Sequence, residues 1–474
     1  MSRLSSVHER AIMKNVVVGS GYVGLVAGVC FAELGHEVVL VDNDAEKVES
    51  LRQGQVPIHE EFLEELLKRH SGSGKIQFSD SLADSLDAAA VVFIAVGTPA
   101  REDGDADLSY VEDVVRTIAQ NINDYVVVVE KSTVPVLTHD WIRKVMLLNG
   151  AKEGTFDVVS NPEFLREGTA VHDFLFPDRI VVGADTDRAA KVVSNLYRPL
   201  TDGSYHKRSL IPARQGSTTP SKLLITNAKS AELIKHASNA FLATKISFIN
   251  AVANICESVG ADVREVCDGM GADTRIGRNF LNPGVGYGGS CFPKDLKAFH
   301  SVARDCGYDF ALLEDVIKIN EQQRTRFLRK VRQALWNLKS KKIAVLGLAF
   351  KGGTDDIRES PAIAVIRSLI EEGANLTVFD PAAMSRAKIQ LGDSVQYAES
   401  AYAACEGAEA VLILTEWEEF GRLDLARLKS ILRYPIIVDG RNMYSLDEMR
   451  RAGLQYYSVG RPAVAIGEKA ATLK

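Results

Sequence analysis

The chain has no long apolar run, no paired cysteines and no excess of basic charge, and each absence removes a class of function. No uninterrupted apolar stretch is long enough to cross a bilayer, so no membrane partner is expected. The leading residues Met1 to Met13 are polar and charged and lack the apolar core of a secretory signal; they are expected to be an extension with no part in the fold. Six cysteines (Cys30, Cys256, Cys267, Cys291, Cys306 and Cys405) are scattered without a C-x-x-C pair or a metal-ligand spacing. That argues against a disulfide framework and a structural metal, and fits a reducing, cytoplasmic compartment. Lysine and arginine number 56 against 62 aspartates and glutamates, a net charge of −6. A chain this close to neutral advertises no surface for nucleic acid or acidic lipid.

What is present is 474 residues, 46% of them hydrophobic, more than one hydrophobic core can organise. From Lys14 onward short β-branched runs alternate with amphipathic segments: Asn15 to Val18, Glu37 to Asp42, Ala90 to Val96, Tyr125 to Glu130, Asp157 to Ser160 and Arg179 to Gly183. Strand and helix in alternation predict a parallel, doubly wound sheet. Near Lys222 the texture becomes Ala-rich with helical spacing, and Ala228 to Val259 contains neither Pro nor Gly. It reads as one helix about 45 Å long. The alternation returns with Lys342 to Leu346, Asn375 to Asp380, Glu409 to Leu414 and Pro435 to Asp439. The expected fold is α/β: two Rossmann-like doubly wound parallel-sheet domains, 14–215 and 336–474, joined by a long central helix within a helical segment, 216–335. A ligand-binding cleft between the sheets is expected.

Two segments carry the chemistry. The first βα turn reads Gly19-Ser20-Gly21-Tyr22-Val23-Gly24, directly after a strand and before the helical text Leu25 to Leu34. Glycines there permit a tight turn, let backbone approach a pyrophosphate, and let the helix pack on the sheet. The second strand ends at Asp42, where a carboxylate accepts ribose hydroxyls and repels a 2′-phosphate, so NAD is expected over NADP. The second segment is Gly284-Val285-Gly286-Tyr287-Gly288-Gly289-Ser290-Cys291-Phe292-Pro293-Lys294-Asp295. Its glycines allow backbone to fold against a ligand, and Ser290 is expected to cap a helix over Phe292 to Val302. Cys291 then sits at a helix N-terminus, where a thiol pKa of about 8.5 is commonly lowered toward neutrality. Asp295, four residues on, shares its helix face. The other five cysteines lie in apolar helical or strand text and read as structural.

Lys235 and Asn239 are four apart on the long helix, and Asn161-Pro162-Glu163 reads as a capped helix start that puts Glu163 and Glu167 on one face. A lysine on a helix usually snorkels to solvent, and first-turn carboxylates often only complement the dipole. The amide one turn from Lys235 favours a functional pair.

These residues carry a resemblance that extends from Lys14 to about Val459. GSGYVG, VGTP (Val96 to Pro99), EKSTVPV (Glu130 to Val136), SNPEFLREG (Ser160 to Gly168), AELIKHASNAFLATKISFIN (Ala231 to Asn250), GYGGSCFPKD (Gly286 to Asp295), FKGGTDDIRES (Phe350 to Ser360) and DGRN (Asp439 to Asn442) resemble the UDP-glucose/GDP-mannose dehydrogenase family. GGSCFPKD is most similar to the branch acting on UDP-glucose; GDP-mannose enzymes tend toward Leu after the Cys, and UDP-N-acetylhexosamine enzymes toward His before it. The resemblance implies a four-electron oxidation of UDP-glucose to UDP-glucuronate with two NAD in succession, feeding polysaccharide synthesis. Cys291 would carry a thiohemiacetal and then a thioester, with Lys235 and Asn239 on the oxyanion. Lys235 or an Asp295-linked water would be the base, and Asp295, Glu163 and Thr133 would handle the hydrolytic water. Lys47, Thr98, Thr133, Glu167, Lys294 and Arg358 would join Asp42 around NAD. Glu163, Phe164, Leu165, Lys235, Asn239, Phe280, Asn282, Tyr287, Gly288, Phe350, Lys351 and Arg441 would hold the UDP-sugar. Arg275 would reach a neighbouring subunit's substrate in a homo-oligomer, at least a dimer. A GDP-mannose or UDP-N-acetylhexosamine 6-dehydrogenase is the alternative within the family. A β-hydroxyacid dehydrogenase needs neither Cys291 nor a second α/β domain, and a non-catalytic nucleotide-sugar binder needs none of Cys291, Lys235, Asn239 and Asp295.

Overall fold

A computed structural model of the chain describes residues 12–99, 101, 106–214, 217 and 219–467. The expected N-terminal extension lies, as far as residue 11, outside the described residues. Two compact units divide the chain, 1–236 and 237–474.

The first unit holds eight strands: β1 (Lys14–Val18), β2 (Glu37–Val41), β3 (Ile76–Ser79), β4 (Val91–Ile94), β5 (Val126–Glu130), β6 (Phe156–Ser160), β7 (Arg179–Ala184) and β8 (Lys222–Thr226). They are ordered β3-β2-β1-β4-β5-β6-β7-β8. Pairing is parallel up to β6; β7 runs antiparallel to β6 and parallel to β8, so the expected parallel sheet is mixed at one edge. The central strands are apolar on both faces because both are covered: Val17, Phe93, Val127 and Val129 point into one core, and Val16, Val92, Ile94 and Val128 into another.

The second unit holds β9 (Lys342–Leu346), β10 (Asn375–Phe379), β11 (Gln396–Tyr397), β12 (Ala410–Ile413), β13 (Ile436–Asp439) and β14 (Gln455–Ser458), all parallel, in the order β11-β10-β9-β12-β13-β14. Read from its own first strand, this is the 3-2-1-4-5-6 order that also runs through the first six strands of the chain, the order of dinucleotide-binding folds. The helix Ala228–Val259 forms over the expected span and stops before Gly260, whose φ of +79° suits glycine. The division between units falls within it, after His236. Beyond that point Ala240 and Ala243 pack in one apolar cluster, and Ile249, Ala253 and Cys256 in another. Among the described residues no helix is long and apolar enough to cross a membrane.

Candidate active site

Gly19 (φ +96°) makes the turn after β1; a Cβ there would sit 2.7 Å from the Ala95 carbonyl oxygen. A Cβ on Gly24 would overlap the Gly19 carbonyl, so this glycine lets the helix Tyr22–Leu34 press against the turn. Gly21 has nothing within 4 Å of its Cβ position, and it is the helix N-cap. The turn therefore presents bare backbone and a helix N-terminus to open space, a fit to the pyrophosphate of a dinucleotide. Val23 lies in the first turn of that helix. Asp42, one residue past β2, accepts Ser20 N (2.8 Å), Ser20 Oγ (2.7 Å) and Lys47 Nζ (2.7 Å) through Oδ2. Burial works against its charge, but the Lys47 and Ser20 hydrogen bonds win and hold its carboxyl below the usual range. It stays ionised as a ribose acceptor should. Tyr22 turns inward: its hydroxyl is bonded to Glu60 and accepts Gly168 N at 2.7 Å, beside the buried Glu167.

A second group forms around the exits of β5 and β6. Lys235 Nζ donates to Glu163 Oε1 at 2.6 Å, and both are buried. Glu163 Oε2 accepts Leu165 N at 2.6 Å, and Lys235 Nζ lies 5.7 Å from the centre of the Phe164 ring, whose face also carries the Arg179 guanidinium. Thr98 Oγ1 donates to the Thr133 carbonyl at 2.8 Å. A small cavity here is lined by Glu130, Lys131, Ser132, Thr133, Val134, Pro162, Glu232 and Lys235. One expectation fails: residues 161–166 form no helix, and the next begins at Ala170. Asn161 is no cap, because its backbone N–H continues the sheet to Glu130 O (2.9 Å) and its amide donates to Val181 O (2.7 Å). Glu163 and Glu167 thus share no helical face.

In the second unit the helix Phe292–Asp305 forms, with Pro293 in its first turn, but its N-cap is Cys291 itself and not Ser290. No side chain caps the first turn; Ser290 Oγ lies 3.6 Å from Cys291 Sγ instead. The thiol thus stands at the helix end, where the dipole favours thiolate. Asp295 N donates to Cys291 O at 2.8 Å, closing one turn. The Asp295 carboxylate, 1% exposed, accepts Asn239 Nδ2 at 2.6 Å and lies 3.6 Å from Lys294 Nζ. Cys291, Asp295, Asn239 and Lys294 therefore form one set. Cys30, Cys256, Cys267 and Cys405 are buried as structural cysteines should be, while Cys306 is exposed, because it lies where its helix ends.

The glycine loop before Cys291 is shaped largely by the protein's own packing. A Cβ on Gly288 would overlap the Glu359 carbonyl, one on Gly289 would reach the Phe350 ring at 2.7 Å, and one on Gly286 would reach Asn320 Oδ1 at 2.7 Å. Gly289 N donates to Arg358 O (2.9 Å), and Tyr287 N to Asn320 Oδ1 (2.8 Å). Arg441 ties the same loops together, donating to Leu414 O (2.8 Å) and Phe350 O (2.9 Å). Lys351 Nζ lies 5.6 Å from the Phe350 ring centre. Phe280 is 6.4 Å from Phe292 between ring centres, and Asn282 accepts Arg278. Arg358 and Arg275 each pair with an acid two residues back, Asp356 and Asp273, and both are largely exposed. Lys131, buried beside Lys235, was not singled out from the sequence; a Glu-Lys pair closing an all-valine strand was the available signal. No cluster of three or more His, Cys, Asp or Glu able to hold a metal occurs among the described residues.

Two doubly wound sheets, one opening on a bare glycine turn with an acid at the end of its second strand, define a dinucleotide-dependent α/β enzyme class. The chain belongs to the UDP-glucose/GDP-mannose dehydrogenase family: its NAD binding domain matches residues 13–201, its central domain 229–322 and its UDP binding domain 344–446. The UDP-glucose 6-dehydrogenase TuaD of Bacillus subtilis is 45% identical over 95% of this chain and 94% of its own. The UDP-glucose 6-dehydrogenase of Rhizobium meliloti is 47% identical over 95% of this chain and 100% of its own. Among solved structures, a UDP-glucose dehydrogenase from the archaeon Pyrobaculum islandicum superimposes with a TM-score of 0.85 at 39% identity, covering 96% of this chain and 99% of that one.

Proposed function

We propose that this chain is an NAD-dependent UDP-glucose 6-dehydrogenase that oxidises the primary alcohol of UDP-glucose through the aldehyde to the carboxylate. The observation that carries the reading is Cys291 at a helix N-cap with Asp295 one turn on and Asn239 bonded to it, in a chain 45–47% identical to relatives named for that reaction. Those relatives favour UDP-glucose over GDP-mannose or a UDP-N-acetylhexosamine.

NAD, when bound, accepts the hydride at each oxidation. The groups to hold it are the Gly19 to Gly24 turn, Asp42 and Lys47, joined by Thr98, Thr133, Glu167, Lys294 and Arg358. The sugar alcohol loses a proton to a base, for which Lys235 or a water on Asp295 is suited. Cys291 thiolate then adds to the aldehyde carbon, and the oxyanion of the thiohemiacetal is held by Lys235 and Asn239. Loss of the second hydride leaves a thioester. Water, deprotonated with help from Asp295 and oriented by Glu163 and Thr133, displaces the thiolate and releases the carboxylate. The UDP-sugar is assigned to Phe164, Leu165, Phe280, Asn282, Tyr287, Gly288, Phe350, Lys351 and Arg441.

The enzyme is proposed to work in the cytoplasm, which six free cysteines support. It is also proposed to work as a homo-oligomer, with Arg275 completing a neighbour's site. Phe241, Phe248 and Ile255 stand exposed on the long helix at seven-residue spacing, the pattern of a helix seam awaiting a second copy.

The test is stoichiometry and trapping. The protein should release two NADH per UDP-glucose. Cys291→Ser should keep UDP-glucose binding and lose turnover by about a thousandfold, since a serine hydroxyl is not ionised without a dedicated base. Asp295→Asn, mixed with NAD and UDP-glucose, should accumulate an adduct on Cys291 detectable by intact-protein mass spectrometry. Undiminished turnover by Cys291→Ser would falsify the covalent route.

A further inference from the structure

Glu130, Lys131, Glu232 and Lys235 are four ionisable side chains buried around one small cavity of the first unit, and Glu163, also buried, is bonded to Lys235. Lys131 and Lys235 are, among the described residues, the two buried lysines, and the protein treats them differently. Lys235 is paired with a carboxylate, Glu163, at 2.6 Å. Lys131 makes its hydrogen bonds to neutral oxygens: Asn161 Oδ1 (3.1 Å), Asn161 O (3.3 Å) and Tyr197 Oη (3.4 Å). Tyr197 itself donates to Asn161 Oδ1 at 2.6 Å, and Nζ stands 5.9 Å from the centre of the Phe174 ring. A cage of dipoles compensates an ammonium only in part, and its field reaches its neighbours with little screening.

We infer that Lys131 is a positioning residue for the proposed oxidation, holding the Asn161 to Glu163 strand exit in place and supplying the positive charge that makes Lys235 give up its proton more readily. The inference rests on the reading of Lys235 and Glu163 as reaction groups, and Lys131 itself touches no reacting atom. The covalent path is short: Lys131 follows β5, Asn161 follows β6, and Glu163 is two residues further along. The charges facing Lys131 are Glu130 from its own strand, Glu163 from the neighbouring exit and Lys235 from the long helix; Glu232, from the same helix, faces Glu130. Burial, with repulsion from Lys235, pushes Lys131 down to about 8 against the partial offset of Glu163 and Glu130. Burial and then Glu232 push the Glu130 carboxyl well above the usual range, so it neutralises the lysines poorly. Repulsion between two sites belongs to the pair, so the charge on Lys131 works against a proton on Lys235 as well.

Removing that charge moves the ionisation of Lys235 toward alkaline pH. In Lys131→Met, which keeps the apolar stem, the acid limb of the kcat profile for UDP-glucose oxidation should shift up by about one pH unit, a tenfold loss on that limb. The difference from the unmodified enzyme should close above a pH of about 8, where Lys131 has itself lost its proton. Lys131→Arg, which keeps the charge, should restore the limb; Lys131→Gln replaces the Met variant if that one does not fold. A rate lowered equally at all pH values, with the limb unmoved, overturns the proposal and leaves Lys131 a structural residue. A titration of 13Cε-labelled lysine by NMR, without substrate, should show one resonance titrating near 8 that is absent from Lys131→Met. If that resonance is present and the unmodified enzyme makes no NADH from UDP-glucose, the function assigned to the site is wrong and the charge coupling stands. If no lysine titrates there, the charge coupling is wrong whatever the activity.

Discussion

The chain builds the 3-2-1-4-5-6 sheet twice, and the two βα turns at the heart of those sheets use the same first step for different ends. Gly19 after β1 and Gly347 after β9 have φ of +96° and +97°, and each presses on the end of the fourth strand of its sheet, at Ala95 and at Thr415. There the likeness stops. After Gly19 the helix begins at Tyr22; after Gly347 it waits until Pro361, and the intervening loop packs beneath the glycine loop that leads to Cys291. The acids at the ends of the second strands diverge in the same way. Asp42 sits at the rim with Ser20 and Lys47. Asp380, 1% exposed, accepts Leu348 N, Ala349 N and Trp417 Nε1 on one oxygen and Ala382 N and Ala383 N on the other. One carboxylate is available to a ribose, and the other is consumed by its own loop. Topology supplies the place, and the length of the turn decides how much of it the protein's own backbone and side chains occupy.

The largest effect that breaks this comparison is Asp380→Ala. It strands four backbone N–H groups and an indole N–H in a dry site, at a cost of about 3–5 kcal/mol, and should lower the melting temperature by roughly 10 °C. A calorimetric midpoint within a degree or two of the unmodified protein would mean that the second acid is not structural. Asp42→Ala should do the reverse, leaving the midpoint within about 3 °C while narrowing the preference for NAD over NADP by about tenfold or more, because the repulsion of a 2′-phosphate is gone. Steady-state kinetics with both cofactors decides it. Equal use of NAD and NADP by the unmodified enzyme sinks the role of Asp42.

What was legible in the sequence follows the physics of burial. The strands read from the sequence lie mainly in the sheet interiors, where both faces are apolar and the text is a run such as Val126 to Val129. The four that escaped, β3, β8, β11 and β14, are the four sheet edges. Half-exposed edges such as Ile76 to Ser79 carry no such run, and Lys222 to Thr226 stands at the start of text that reads as helical but forms a strand. The Cys291 to Asp295 turn and the Ala228 to Val259 helix were readable because each is local. The bent exit after β6 was not: Asn161 resembles a cap until its partners on β5 and β7 are known, and those are set by strand register. The glycines before Cys291 read as letting backbone fold against a ligand; the close approaches in the structure are to Asn320, Phe350 and Glu359, which lie between 34 and 71 residues away along the chain. A cage of neutral atoms around Lys131 likewise assembles from three separate segments.

The smallest and finest test sharpens the comparison within the first turn itself, at two glycines three residues apart. Gly24→Ala places a methyl group inside the Gly19 carbonyl, so either the helix or the turn must move, and both stability and cofactor binding should suffer. Gly21→Ala meets nothing within 4 Å, and its φ of −69° and ψ of −170° are open to alanine. Its effect on stability is the difference between a chain-entropy gain and a poorer N-cap, terms of opposite sign and of about 1 kcal/mol or less, so the melting temperature should hold within about 2 °C. The methyl group nevertheless occupies the space in which backbone approaches a pyrophosphate. The KM for NAD should therefore rise about tenfold, while UDP-glucose affinity, measured without NAD, stays as it was. An unchanged KM for NAD in a normally folded Gly21→Ala protein would place the pyrophosphate away from this turn, and with it the assignment of the first sheet to the cofactor.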